Sequence, residues 1–451
     1  MTLPYPKKTE STKAVPARND KQMRRIALAG FTGTVIEFYD LTLYAVTASL
    51  VFAKVFFPAL GPAAGTLAAF GTLGVAFVAR PVGALIFGHF GDRLGRKRML
   101  VITLLLMGSA TVVVGAMPTA NQIGAAAPIL IVLMRIVQGI AAGGELAGAA
   151  LFSTESAPTT RRGFWTMFTS LGGGFSIVLA NATLLAVGAG LSDEQFASFG
   201  WRIPFLASSL LIVVGLYIRL KIDETPVFQA EAKAETAGSV GRRPVPLIEA
   251  WRNQPRHMAL VAGISIMQAA FTYLGATYFA NVATSQLGLT RNVVLAAGVA
   301  GGLCWALGVV VGATASDRIG RRPILLVATA AAVVWAPLAF TVLESASGGV
   351  YLVLLCMTMF IAGLEIGPIN VMLSEIFDTR YRYTASAFAY NVGLVIGGAV
   401  PPITAGAITA AYGAFLFGLL LAVLCLISFL SAIGLPETRH RDLNNIRTSA
   451  H

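Results

Sequence analysis

The sequence predicts an all-α integral membrane protein with twelve transmembrane helices in two six-helix halves, on three observations. Apolar residues make up 56% of the 451-residue chain and charged residues only 12%, with a mean hydropathy of +0.74. That is more apolar surface than an aqueous fold hides. Apolar runs of roughly 20 residues recur from end to end, the length a helix needs to cross a hydrocarbon core of about 30 Å. A charged phrase, Gly88-His-Phe-Gly-Asp-Arg-Leu-Gly-Arg-Lys-Arg98, returns 225 residues later as Ala313-Thr-Ala-Ser-Asp-Arg-Ile-Gly-Arg-Arg-Pro323.

Residues 1–25 form a polar, basic tail. The first run, 26–53, is too long for a signal-peptide core and reads as a first span. Runs at 66–90, 99–117, 128–153, 164–188 and 202–220 complete the first half, 26–220. A basic loop, 221–256, joins it to the second half, 257–434, whose runs lie at 257–283, 292–316, 324–342, 349–374, 386–410 and 413–434. Residues 435–451 form a second tail. Each run reads as a helix because a lipid-facing segment must satisfy its own backbone.

Placing the amino terminus inside puts 28 of the 33 Lys and Arg on the inner side. Only Lys54, Arg202 and Arg291 lie outside, and Arg80 and Arg135 fall within spans. This bias orients the chain with both termini cytoplasmic. It also accounts for the net charge of +12 without nucleic acid.

Cys304, Cys356 and Cys425 sit singly in apolar runs and read as packing residues. The four histidines form no metal-ligand cluster, so no metal or cofactor is expected. There is no Gly-Lys dipeptide, hence no Walker A loop, and the chain cannot hydrolyse ATP through one. Gly172-Gly-Gly174 inside the fifth run reads as close helix packing. With only one loop of any length, the chain lacks room for a soluble catalytic domain and is not expected to be an enzyme.

The two halves repeat each other. The charged phrases fall between the second and third runs and between the eighth and ninth. Glu145 and Glu155 on the fourth run are matched by Glu365 and Glu375 on the tenth, 220 residues on. Such repeats are common in secondary transporters. The duplicated Asp-Arg-x-Gly-Arg-[Lys/Arg] resembles the signature of the major facilitator superfamily, and Arg135-Ile-Val-Gln138-Gly139 resembles its second motif. Within the superfamily the chain is similar to the metabolite:proton symporters, which carry shikimate, 2-oxoglutarate, citrate, proline or betaine. The matching residues are Glu37-Phe-Tyr-Asp40, Ala79-Arg80-Pro81-Val-Gly83, Gly143-Gly144-Glu145-Leu-Ala-Gly148, Ala157-Pro158, Arg161-Arg162-Gly163-Phe164, Trp201-Arg-Ile-Pro204-Phe205 and Glu224-Thr-Pro226-Val-Phe228.

The resemblance implies a cytoplasmic gate built from Asp92, Arg93, Arg96, Glu155, Arg161, Asp317, Arg318, Arg321, Glu375 and Arg380. Asp92 and Asp317 end helices, where the dipole disfavours an anion, so each needs a cationic partner. Repetition of the aspartate, and not of the arginines alone, argues for more than topology.

An ionisable side chain at membrane depth is expensive and therefore a functional candidate. At about 1.5 Å per residue, Arg80 lies about 18 Å from Asp92 and Glu37 about 16 Å from Ile26, while Glu145 and Glu365 lie about 15 Å from Glu155 and Glu375. All four reach the midplane, where the halves meet. Arg80 suits bidentate capture of a carboxylate. The resemblance to sugar porters pairs Asp40 with Arg135 for proton coupling, and Glu37, one turn away from Asp40, is an equally credible carrier. Glu145 is placed in both the proton and the solute sites. Gln268, Thr272 and Tyr273 on the seventh run, with Glu365, complete the expected solute contacts.

The expected activity is proton-coupled uptake of a small polar metabolite, foremost an organic acid, by a monomer in a plasma membrane of the bacterial inner-membrane kind. A zwitterionic osmolyte such as proline or betaine is the alternative cargo, because acids outnumber arginines at depth. An efflux antiporter is the alternative direction.

Overall fold

In the computed structural model, which describes residues 20–94, 96–143, 151, 153–221, 246–378, 381–439 and 441, the described part of each of the twelve apolar runs is built around a helix. The spanning helices are α1 (Asp20–Thr47), α2 (Gly61–Leu94), α3 (Arg96–Ala116), α4 (Ala126–Gly143), α5 (Arg162–Gly188), α6 (Arg202–Lys221), α7 (Pro255–Leu274), α8 (Arg291–Ile319), α9 (Arg321–Leu343), α10 (Gly348–Ile376), α11 (Arg382–Leu394) and α12 (Ala414–Gly434). By length and composition ten helices can cross a membrane, and the pair Asp193–Gly200 and Arg202–Ile218, bent by 41°, makes an eleventh. The apolar part of α3, Val101–Ala116, is shorter.

Three spans continue through a π-helical turn: α1 through Ala48–Phe52 to Phe56, α7 through Gly275–Phe279 to Ser285, and α11 through Val395–Ala399 to Tyr412. Such turns redirect side chains inside an otherwise regular helix. Leu210, Val213, Val334, Leu338 and Leu430 stay more than half exposed. That is the outer surface expected of a bundle solvated by lipid.

Because the helices alternate in direction, the bundle has a basic end and a far end. At the basic end lie both described termini, the turns 157–161 and 319–321, the end of α2 with the start of α3, and the end of α10 with the start of α11. At the far end α1, α3, α5, α7, α9 and α11 hand over to their successors.

Glycine sets how close the key helices come. A Cβ on Gly143 would overlap the Arg80 carbonyl, and one on Gly139 the Ala76 carbonyl, so α2 and α4 pack backbone to backbone. The triplet Gly172-Gly173-Gly174 faces α1 at Phe31 and Thr34, and α8 at Trp305 and Ala306. It is a packing seam, as its position inside an apolar run suggested.

Candidate functional site

The α2–α4 seam delivers two arginines to one place. Arg80 is 1% exposed and Arg135 fully buried, beside Glu37 and Asp40 of α1 at 3% and 4%. Burial this complete at mid-helix is costly unless each charge is answered nearby.

Asp40 is answered by a polar cage. Thr111 of α3 donates to its Oδ1 in a very short hydrogen bond, and Gln138 Nε2 lies 3.0 Å from both carboxylate oxygens. Gln138 Oε1 in turn accepts from Arg135 Nη1 at 2.7 Å. The expected Asp40–Arg135 pair is therefore bridged: among the described residues no direct ion pair joins them, and one amide accepts from the cation while donating to the anion. Gln138 lies three residues beyond Arg135 on the same helix face, so the insertion follows from helix geometry. The Arg135 guanidinium sits 3.8 Å over the Tyr44 ring, whose hydroxyl is fixed by Thr72 at 2.6 Å. Its Nε and Nη2 have no hydrogen-bond partner.

Arg80 points to the meeting of the halves. Its guanidinium lies 5.1 Å over the Phe77 ring, and Phe77 stands edge-on to Tyr273 of α7 at 4.6 Å. The Tyr273 hydroxyl is in hydrogen-bond reach of Arg80. Arg80 Nε and Nη2, the fork that takes a carboxylate side-on, carry no protein partner. In the second half α7, α8 and α11 supply a chain of neutral groups: Tyr390 donates to Gln268 Oε1 at 3.3 Å, Gln268 Nε2 donates to Thr272 at 3.3 Å, and Trp305 Nε1 donates to the same hydroxyl at 3.2 Å. Gln268 and Thr272 are thus bonded one turn apart on α7, and Tyr273 of the same helix reaches Arg80.

Glu365 makes no hydrogen bond to them. It is fully buried on α10, with both carboxyl oxygens lacking a hydrogen-bond partner. Along α10, Gly363 and Gly367 lie against α8, and Asn370 donates to Ser170 of α5 at 2.8 Å. At about 100° per residue, Glu365 is turned roughly 140–160° from those faces. It looks into the interior of the second group of helices, within electrostatic reach of Tyr390 and Cys425. Glu145 lies outside the described residues, as does Arg380, and so do the side chains of Asp92, Arg93 and Arg96.

At the basic end a second cluster forms from residues far apart in sequence. Asp317 accepts from Arg321 Nη1 at 2.7 Å and from the backbone N–H groups of Gly163 and Phe164 at 2.9 Å each. It thereby caps the first turn of α5, where the dipole welcomes an anion. Glu375 pairs with Arg162 at 3.1 Å and Arg321 at 3.5 Å and accepts from Thr438 at 2.7 Å, all three charges being buried. Arg382 reaches Glu155 at 2.8 Å.

The expected gate needs two corrections among its cations. Arg162 enters the cluster, whereas Arg161 is exposed; Arg162 is the first residue of α5 and faces inward. Arg318 is likewise exposed, while Arg321, four residues after Asp317, turns in. Arg382, the other half of the Arg380-x-Arg382 pair, carries the described bond to Glu155. Thr111, Tyr44 and Tyr390 carry no signal in the sequence that marks them as part of the site. Gln138 is legible as part of the Arg135-Ile-Val-Gln138-Gly139 motif, and its spacing from Arg135 carries the signal for the bridge.

The Major Facilitator Superfamily model matches residues 30–400. The chain belongs to the major facilitator superfamily. That makes it a multi-pass membrane transporter and not an enzyme. It is 39% identical to the Escherichia coli (strain K12) inner membrane metabolite transport protein YhjE, over 93% of this chain and 95% of that one. It is 36% identical to the shikimate transporter of the same strain, over 92% and 95%. With the proline/betaine transporter of Salmonella typhimurium (strain LT2) it shares 30% identity, over 96% and 87%. These relatives are named as transporters of metabolites, of shikimate and of proline or betaine. A solved proton:xylose symporter shares the fold, with a TM-score of 0.75 at 18% identity over 94% of this chain and 98% of that one.

Proposed function

We propose that the protein is a proton-coupled symporter that takes up a small polar metabolite, foremost an organic acid, by alternating access. The carrying observation is the Asp40–Gln138–Arg135 bridge. Protonating Asp40 removes the charge that the Gln138 amide answers, which frees Gln138 and Arg135 to rearrange, so proton occupancy biases one conformation over another. Arg80, with its open fork, receives the carboxylate. Gln268, Thr272, Tyr273 and Tyr390 hold the neutral body of the solute. Glu37, buried beside them, is the second candidate proton carrier.

The Asp317, Arg321, Glu375 and Arg162 cluster is the gate that closes the basic end, which the positive-inside bias assigns to the cytoplasm. A single chain carries both halves of this machinery, so a monomer suffices. The aromatic groups Phe77, Tyr273, Tyr390 and Trp305, together with Glu37, favour a second reading in which the cargo is a zwitterion whose cation rests among them.

The test is external alkalinisation by proteoliposomes on separate addition of shikimate, 2-oxoglutarate, citrate, proline and betaine, with Asp40→Asn as control. Proton uptake set off by one compound and lost in the control supports symport. Flux of a compound without proton movement refutes the coupling.

A further inference from the structure

Arg291 is one of only three basic residues that sequence assigns to the far side, and the transport chemistry leaves it without a role. It opens α8, and its Nη2 donates to the carbonyls of Gly188 at 2.9 Å and Leu191 at 3.0 Å, just where α5 ends. Its Nη1 lies 2.8 Å from Asp193, and its guanidinium rests 4.1 Å over the Phe196 ring. The arginine side chain is 11% exposed, Asp193 is 90% exposed, and so the carbonyls and the ring, not the acid, are the protected part of the contact.

The sign of the charge is informative. A cation at the first turn of a helix opposes that helix's own dipole, but the same cation at the last turn of a neighbour is favoured. Arg291 is wrongly placed for α8 and correctly placed for α5. Asp317 at the other end of α8 shows the same pattern in reverse: it is an anion at the C-terminal turn of its own helix and a cap on the N-terminus of α5. The antiparallel pair α5 and α8 comes from opposite sides of the central segment 222–245. It is therefore clasped at both ends by charges that fit only the partner helix.

We propose that Arg291 is the far-end latch of the transport cycle, a positioning residue that holds α5 and α8 together there and must let go when that end opens. The two clasps act in turn. Opening at the far end keeps Asp317 on α5 and releases Arg291, and opening at the basic end does the opposite. This rests on alternating access, but it can be read with no solute present, so a failed transport assay and a failed latch give different results.

The test uses the full chain in lipid nanodiscs, with Cys304, Cys356 and Cys425 replaced and one reporter added at a time. Asn281→Cys reports the far end of the α7 span and Ser374→Cys the basic end, each scored by its rate of modification with a polar maleimide. Arg291→Ala is expected to raise the far-end rate about tenfold, the size of population shift that a contact of this class carries, while the basic-end rate stays level or falls. Arg291→Lys, which keeps the charge but not the fork, should fall between. Asp193→Ala should change little. Equal rates with and without Arg291 at the far end would overturn the proposal. So would a parallel rise at both reporters, which marks loosening of the fold and not the release of one end.

Discussion

Asp40 and Glu365 are both carboxylic acids near the middle of a helix and both shut away from solvent, at 4% and 0% exposure. Yet one is enclosed by Thr111 and Gln138, with Arg135 one amide beyond, while the other meets no hydrogen-bond partner. A buried acid that is caged can gain and lose a proton without wrecking its surroundings, because the cage answers either form. A bare one is a standing cost to the fold in its charged form. Depth alone therefore does not make a coupling residue.

The largest effect that separates them is on coupling. Asp40→Asn should cut the ratio of uptake with and without an imposed pH gradient by up to about 100-fold, the upper range for a coupling free energy of about 3 kcal/mol. Glu365→Gln should leave that ratio within about threefold, as expected for a residue outside the linked pair. If the two responses change places, the comparison fails.

Next comes the bridge. Gln138→Leu strands Asp40 and Arg135 together, and should cost about 1–3 kcal/mol in chemical unfolding from detergent, along with much of the coupling. Retained coupling would show that Asp40 reaches Arg135 by another route.

Glu365→Met tests the stability side of the contrast. Replacing an unanswered polar group by an apolar one of similar volume should be neutral or raise the unfolding free energy by about 1–2 kcal/mol. The same substitution at Asp40 should lower it.

The smallest expected effect belongs to a third carboxyl, outside the spans. Burial opposes ionisation of Glu437, but backbone N–H groups of Arg321, Arg439, Arg322 and Thr438 outweigh it and hold the group below its usual range. A carboxyl lowered on folding stabilises the protein above its unfolded value, about pH 4.3. That contribution is lost as pH falls through the lower folded value. Wild type should exceed Glu437→Gln in stability at neutral pH, and the gap should close in acid. The two bonds from Arg321 and Arg322 anchor the tail to the start of α9, where Gly320, at a φ of 108°, leaves no room for a side chain against Glu437.

The helical character of the apolar runs and the depth of Arg80, Glu37, Asp40, Arg135 and Glu365 along their helices follow from the sequence alone. Those are one-dimensional quantities: an apolar run has a length, and a helix rises by about 1.5 Å per residue whatever it packs against. Arg80, Glu37, Asp40 and Arg135 were legible on that ground. Tertiary structure decided what each charge meets. It set Gln138 between Asp40 and Arg135, chose Arg162 over Arg161, placed Asp317 on the end of α5 and left Glu365 without a hydrogen-bond partner. These outcomes depend on azimuth and on which helix lies alongside. The glycine seams of α2 with α4 and of α5 with α1 and α8 fix both, by letting backbones touch at points that no single helix specifies.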